Sequence, residues 1–217
     1  MKKIGLFILV ICFSFNGIAQ SSSESAKTLL DEVSTKMGAY KNMSIGFTST
    51  LVNKEAGITN DPPIRGTITL SGEKYNLNYL GNNFVFNGRK LVVINTEEKE
   101  VSITEGDLEE EDGFIYPSKL LTFYKEGYTY EMGTLKNNKG RKVQFVNLTP
   151  IDSNSDIVKV QLGIDAKTKH IYKLVQIGSN GAETTFTITK FKSNQSISEN
   201  LFSFDKAKYE KLGYLID

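Results

Sequence analysis

Apolar residues recur along this chain with two different periods. Over residues 25–40 they fall at Ala26, Leu29, Leu30, Val33, Met37 and Tyr40, with Lys27, Asp31, Glu32, Thr35 and Lys36 between them. Steps of three and four place the apolar side chains on one face of a helix. Such an amphipathic helix needs an apolar surface to lie on. The preceding "QSSSES", residues 20–25, reads as a flexible lead.

From Phe47 onward the period is two. Phe47, Ser49 and Leu51 share one side of a strand, and a loop with Pro62 and Pro63 follows. Ile64, Gly66, Ile68 and Leu70 then alternate with polar residues, as do Tyr75, Leu77 and Tyr79 after the turn "SGEK". Phe84 and Phe86 lead into the turn Asn87-Gly88, and Leu91 to Ile94, Val101 and Ile103 extend the series. Short alternating runs punctuated by Gly and Asn predict antiparallel sheet. The pattern resumes at Tyr128 and continues through residues 142–148, the alternation Val158, Val160, Leu162, Ile164, and residues 171–177 and 184–191. Phe202 and Phe204 share a side near the end of the chain, and Tyr209, Leu212, Tyr214 and Leu215 are placed to cover a sheet edge. The expectation is about ten or eleven strands and two helical pieces in one domain over residues 20–217.

Residues 104–127 interrupt the sheet. An acidic run, "EGDLEEED", leads into "GFIYPSKLLTFYKEG". Pro117 predicts the start of a short helix, because its missing N–H costs nothing in a first turn. Gly127 is its expected stop, with Leu120, Leu121, Phe123 and Tyr124 between.

Charge and chemistry narrow the classes. The first residues, "MKKIGLFILVICFSFNGIAQ", have two lysines, an apolar run and small residues near Ala19. This is the layout of a secretory signal peptide, residues 1–19, cut after Ala19. The apolar run is shorter than the roughly 20 residues of a membrane span. Cys12 is the only cysteine and lies inside that run, after Ile11, so the exported chain is expected to have no disulfide and no lipid-bearing cysteine. Of 26 basic residues, Lys2 and Lys3 fall in the leader, which leaves 24 against 25 acidic ones. A nucleic-acid binder shows a basic patch, and none is present. The acidic run lacks the alternating ligands and central glycine of a calcium loop. His170 is the single histidine, at a turn beside Lys169, which argues against a zinc site and against a Ser-His-Asp triad. No nucleophile elbow, HExxH or phosphate-binding loop occurs. No cofactor, metal or catalytic residue is therefore assigned.

The order of these segments carries a resemblance. "NMSIGFTSTL", "IRGTITLSGEKYNLNYLGNNFVFNGRKLVVINTEEKEVSI" and the closing "NLTPIDSNSDIVKVQLGIDAKTKHIYKLVQIGSNGAETTFTITKFKSNQSISENLFSFD" resemble the periplasmic outer-membrane lipoprotein carrier (LolA-like) family over nearly the whole exported chain. Gly66 stands in the family's glycine-led strand and Asn87-Gly88 at its turn. The resemblance implies an unclosed, strongly curved antiparallel half-barrel whose helices plug the concave side. It implies a periplasmic monomer that takes acylated lipoproteins from an inner-membrane release complex to an outer-membrane acceptor. One departure stands out. The family has an Arg-Pro pair at the end of the glycine-led strand, and here the chain reads Ser71-Gly72-Glu73-Lys74. Lys74 is the nearest cation, but lysine lacks arginine's planar fork, so control of the lid, or the cargo, must differ.

Under this reading Tyr75, Leu77, Tyr79, Phe84 and Phe86 line a cavity for acyl chains, facing Leu30, Val33 and Met37 of the helix. Phe114, Ile115, Leu120, Leu121 and Phe123 form a lid. Alternation alone does not separate a filled core from a cavity. A lipid- or lipoprotein-sensing domain with a regulatory partner, a secreted carboxylate-based enzyme, and a purely structural β-domain with a filled core are the alternatives.

Overall fold

The structure is a computed structural model that describes residues 16–105, 119 and 121–217, with side chains from residue 22 onward. The leader expected over residues 1–19 lies mostly outside the described residues, as does the acidic run beyond Glu105. Helix α1 spans Asn16–Gly38. It starts ahead of the predicted residue 25 and takes in the serine-rich stretch expected to be a flexible lead. Tertiary contact overrides the weak local preference. Ala26 is fully buried, and the Ser22 hydroxyl accepts the Met132 N–H at 3.2 Å. The expected cut after Ala19 would remove Asn16 to Ala19 from this helix.

Two runs of hairpins follow. The first comprises β1 (Met43–Val52), β2 (Ile64–Ser71), β3 (Lys74–Tyr79), β4 (Asn82–Phe86), β5 (Lys90–Asn95) and β6 (Glu100–Glu105). The second comprises β7 (Tyr128–Asn138), β8 (Arg141–Pro150), β9 (Ile157–Asp165), β10 (Ile171–Gly178) and β11 (Glu183–Ser193). They meet where β1 pairs antiparallel with β11, Met43 opposite Ser193 and Val52 opposite Glu183. A twelfth strand, β12 (Leu215–Ile216), adds to β6 in parallel, one more than the sequence pattern predicts. Two residues are too few to show a period, so it could not be read from alternation. The single sheet runs from β12 to β7 and does not close into a barrel.

One face of this sheet curls around a shared core. Met43, Ile45, Ile68, Leu70 and Tyr75 from the first run join Val146, Leu148, Val160, Leu162, Ile164 and Leu174 from the second, together with Ala26, Leu29, Leu30, Val33 and Met37 of α1. Strands that distant can share one cluster only if their common face is concave. The opposite, convex face is covered over β4–β6 by the chain's last residues. Val85, Val92, Ile94 and Val101 pack there against Phe204, Tyr209, Tyr214 and Ile216. The short helix α2 (Lys206–Lys211) within this tail is capped by the Asp205 carboxylate, which accepts the Lys208 N–H at 3.0 Å. Leu212 and Leu215 stay exposed, so the tail covers a face rather than only an edge.

The polar positions of β3 belong to the convex face. The Asn76 amide donates to the Leu201 carbonyl at 2.9 Å, and Asn83 donates to Asn76 and Asn78. Lys74 lies on the same side and pairs with Glu199 at 3.3 Å. It therefore faces away from the helix and does not take the place of the family's arginine.

Two contacts fix the concave side. Phe47 lies opposite Gly66 across the β1–β2 pair, and a Cβ on Gly66 would fall 2.2 Å from the Phe47 Cζ atom. The missing side chain lets the ring lie on the sheet. At the other end Tyr40, just past α1, holds His170: Tyr40 Oη and His170 Nε2 are 2.8 Å apart. The imidazole also lies tilted against the Phe191 ring, with 4.3 Å between centroids. Burial and the charge of Lys36 hold the His170 pKa below its ordinary 6.5, against the opposing pull of Asp165.

Replacing Gly66 with Ala should destabilise the fold by about 1–3 kcal/mol through overpacking. The same change in a Phe47→Ala background should cost much less, a coupling that urea unfolding of the two single variants and the double variant measures. A second expectation concerns pH. A histidine whose folded pKa is depressed takes up its proton more readily when unfolded, so stability is full above about 6.5 and falls as pH drops through that value toward the folded pKa. Unfolding midpoints across this window should show the slope, and His170→Gln should flatten it.

Candidate functional site

The concave face has two halves with different packing. Beneath α1 it is filled. Leu30, Val33 and Met37 are at most 3% exposed, and the facing Val146, Leu148, Val160 and Ile164 are fully buried. Toward β1–β5 and β11 the same face continues as an apolar floor that is only half-buried. Phe47, Leu77, Phe84, Phe86, Leu91, Phe186 and Ile188 lie there at the margin of the core cluster. The filled half is ordinary core packing, whereas the floor keeps part of its apolar area in reach of solvent.

The floor is aromatic, and its geometry comes from the strand register. Tyr75, Leu77 and Tyr79 point inward from β3 and pair across to Phe86, Phe84 and Asn82 of β4. Phe47, seated on Gly66, lies 5.5 Å from the Tyr79 ring and 5.9 Å from the Phe186 ring, and Tyr75 lies 5.3 Å from Phe86. These centroid distances are in the range of favourable tilted aromatic pairs. One polar contact interrupts the floor. Ser49, 3% exposed, shares a 2.7 Å hydrogen bond with the Tyr79 hydroxyl.

The chain that returns to β7 is fastened to α1. Tyr124, in the 3-10 helix Phe123–Lys125, is buried and donates its hydroxyl to Asp31 Oδ1 at 3.1 Å. Burial pushes the Tyr124 pKa up to about 12, and the Asp31 carboxylate adds to that rise. Asp31 is itself held below the usual carboxylate range, first by its hydrogen bond from Lys27. Phe123 stands edge-on to Tyr128 at 5.6 Å.

Of the predicted liners, Leu30, Val33, Met37 and Tyr75 are buried in the packed core, and Leu77, Tyr79, Phe84 and Phe86 are half-buried on the floor. Of the predicted lid, Leu121 and Phe123 pack at the margin of the same cluster. Phe114, Ile115 and Leu120 lie outside the described residues, as does the helix start expected at Pro117. Phe47, Ser49, Leu91, Phe186 and Ile188 also belong to this floor and were not singled out as liners by the sequence. The signal existed in the alternation of β1 and β11, but those strands are joined only by long-range pairing. Among the described residues no three His, Cys, Asp or Glu side chains gather to hold a metal ion. No described helix is long and apolar enough to cross a membrane.

Comparison with known proteins agrees with this architecture. No curated protein sequence matches the chain. Among solved structures, an uncharacterized conserved protein from Thermus thermophilus shares 9% identity over 89% of this chain and 98% of its own, with a TM-score of 0.58. Lipoprotein LppX from Mycobacterium tuberculosis shares 12% identity over 82% of this chain and 99% of its own, with a TM-score of 0.50. MucB shares 16% identity over 85% of this chain and 64% of its own, also with a TM-score of 0.50. At such identities these likenesses concern the fold alone. The family model for the outer membrane lipoprotein carrier protein LolA matches residues 74–205. That segment runs from β3 through the first residues of the tail and is more than half of the sequence, so the chain belongs to the LolA family.

Proposed function

We propose that this protein is a periplasmic carrier that holds the acyl chains of lipoproteins on its concave floor and conveys them from the inner to the outer membrane. The observation that carries this reading is the half-buried apolar band formed by Leu77, Phe84, Phe86, Leu91, Phe186 and Ile188 beside a core that is otherwise closed. Each buried methylene stabilises a bound chain by about 0.8 kcal/mol, so sixteen carbons gain on the order of 10 kcal/mol before the cost of ordering. Binding of this kind needs no covalent step and no cofactor.

Leu121 and Phe123 pack against the same cluster. With Phe114, Ile115 and Leu120 they form the cover in this reading, and cargo competes with their side chains for the floor. Release follows when a partner at the outer membrane favours the arrangement that binds cargo less well. Loading at an inner-membrane release complex would use the reverse bias.

Native mass spectrometry of protein purified gently from the periplasm tests this. The expected spectrum has a one-to-one adduct of acylated-lipoprotein mass, and Leu77→Glu and Phe84→Glu should each abolish it while leaving the far-ultraviolet circular dichroism unchanged. Both positions are half-buried, so a carboxylate there meets the floor rather than the closed core. A bare wild-type protein would overturn the carrier reading, as would adducts that persist in both variants.

A further inference from the structure

We propose that the Tyr79 hydroxyl, aimed by Ser49, donates the hydrogen bond that holds the acyl carbonyl at the head of a bound chain, and so sets the direction in which cargo lies. This rests on the reading of the concave floor as an acyl-chain site and adds to it a polar contact and a polarity.

The argument begins with a count of protons. Ser49 and Tyr79 carry one O–H each and share one hydrogen bond of 2.7 Å. One proton is used between them and one remains to donate. Ser49 is 3% exposed and Tyr79 is half-buried, so of the two only the tyrosine keeps accessible surface on the floor. Either oxygen can donate in this contact; the shared proton is assigned to Ser49, whose buried hydroxyl has no other acceptor among the described residues, which turns the Tyr79 proton outward. Among the described residues no third group bonds to either hydroxyl. The surroundings are Phe47 and Phe186, whose rings lie 5.5 Å and 6.2 Å from that of Tyr79, and neither offers a strong acceptor. A donor left unpaired when an apolar ligand covers it is costly. A ligand with an acceptor at that point avoids the cost. An acyl chain has one strong acceptor, its ester or amide carbonyl, at the end where the hydrocarbon stops.

Position gives the direction. Tyr79 closes β3 at the same end of the sheet as Val52, Asn82 and Glu183, while Tyr75 and Phe86 lie toward the opposite end with Met43 and Leu70. A chain whose carbonyl meets Tyr79 runs over Leu77 and Phe84 toward Phe86. The group attached to its head leaves past Leu51, Ile64 and Leu80, which are exposed at the Tyr79 end.

The test compares two ligands that differ only in the carbonyl, 1-palmitoylglycerol and its ether analogue 1-O-hexadecylglycerol, by displacement of a bound fluorescent alkyl probe from the purified protein. Wild type should prefer the ester by about fivefold to tenfold, the range of one net neutral hydrogen bond. Tyr79→Phe should bring the two affinities together by weakening the ester alone. Ser49→Ala, which keeps the donor and loses its aim, should leave a smaller preference. The Tyr79→Phe change strands a buried serine hydroxyl, so Ser49→Ala/Tyr79→Phe provides a second variant without that cost and should also show no preference. Equal wild-type affinities for ester and ether would overturn the inference while leaving the acyl-site reading intact, as would variants that weaken both ligands alike. Displacement by neither ligand would overturn the acyl-site reading, and the inference with it.

Discussion

A twelve-stranded sheet that does not close has two faces and two edges to shield from water, and this requirement organises the molecule. Helix α1 covers the concave face over β7–β10, and the C-terminal tail covers the convex face over β4–β6. One edge ends in the two residues of β12, whose neighbour Asp217 donates its N–H to the Val101 carbonyl at 2.9 Å. The other edge, β7, meets α1 through Ser22. Unpaired strand edges invite pairing with other chains, and both additions shield the ends of the sheet. On the concave side the described cover is smaller than the sheet. The floor from Phe47 to Ile188 keeps apolar surface that folding alone does not bury.

Much of this was legible in the sequence because strands and amphipathic helices write their buried faces at fixed periods. Val160, Leu162 and Ile164 are buried as their alternation requires, and Tyr75, Leu77 and Tyr79 share a face as predicted. Val158 begins the same alternation yet is 46% exposed, because the β9–β10 pairing is irregular there: Lys159 and Ile157 lie opposite Ile177 and Gly178, and Ile157 packs against the core in its place. The early start of α1 was hidden by residues 20–25, since serine has no strong helical preference and the stabilising contact, with Met132, lies far along the chain. The site was legible only in part for the same reason. Leu77, Phe84 and Phe86 sit on consecutive hairpins, whereas Phe186 and Ile188 reach the floor through a strand pair that no local pattern announces.

Polar residues show where this chain departs from its family's pattern. Lys74 opens β3, and the structure commits that charge to Glu199 on the convex side. The concave side has no cation in its place among the described floor residues. What fastens the segment near Phe123 to the helix is a neutral phenol against a carboxylate, Tyr124 on Asp31. Burial raises the Tyr124 pKa to about 12, and the hydrogen bond from Lys27 lowers that of Asp31. The segment around Tyr124 is thus held by a contact whose phenol stays protonated near neutral pH and whose carboxylate is held below its ordinary range.

The seam between β1 and β11 also bears on how the protein reaches this state. Each run of hairpins pairs strands that follow one another along the chain, so its contacts are local and form early. The seam joins Met43 to Ser193 and Asn42 to Gln195, partners separated by nearly the whole of both runs. Closing so large a loop is entropically unfavourable and slows folding. Until it closes, the facing edges of β1 and β11 are unpaired and the rings of Phe47 and Phe186, 5.9 Å apart across the seam, lack each other's cover, so the incomplete chain is more prone to association than the finished one.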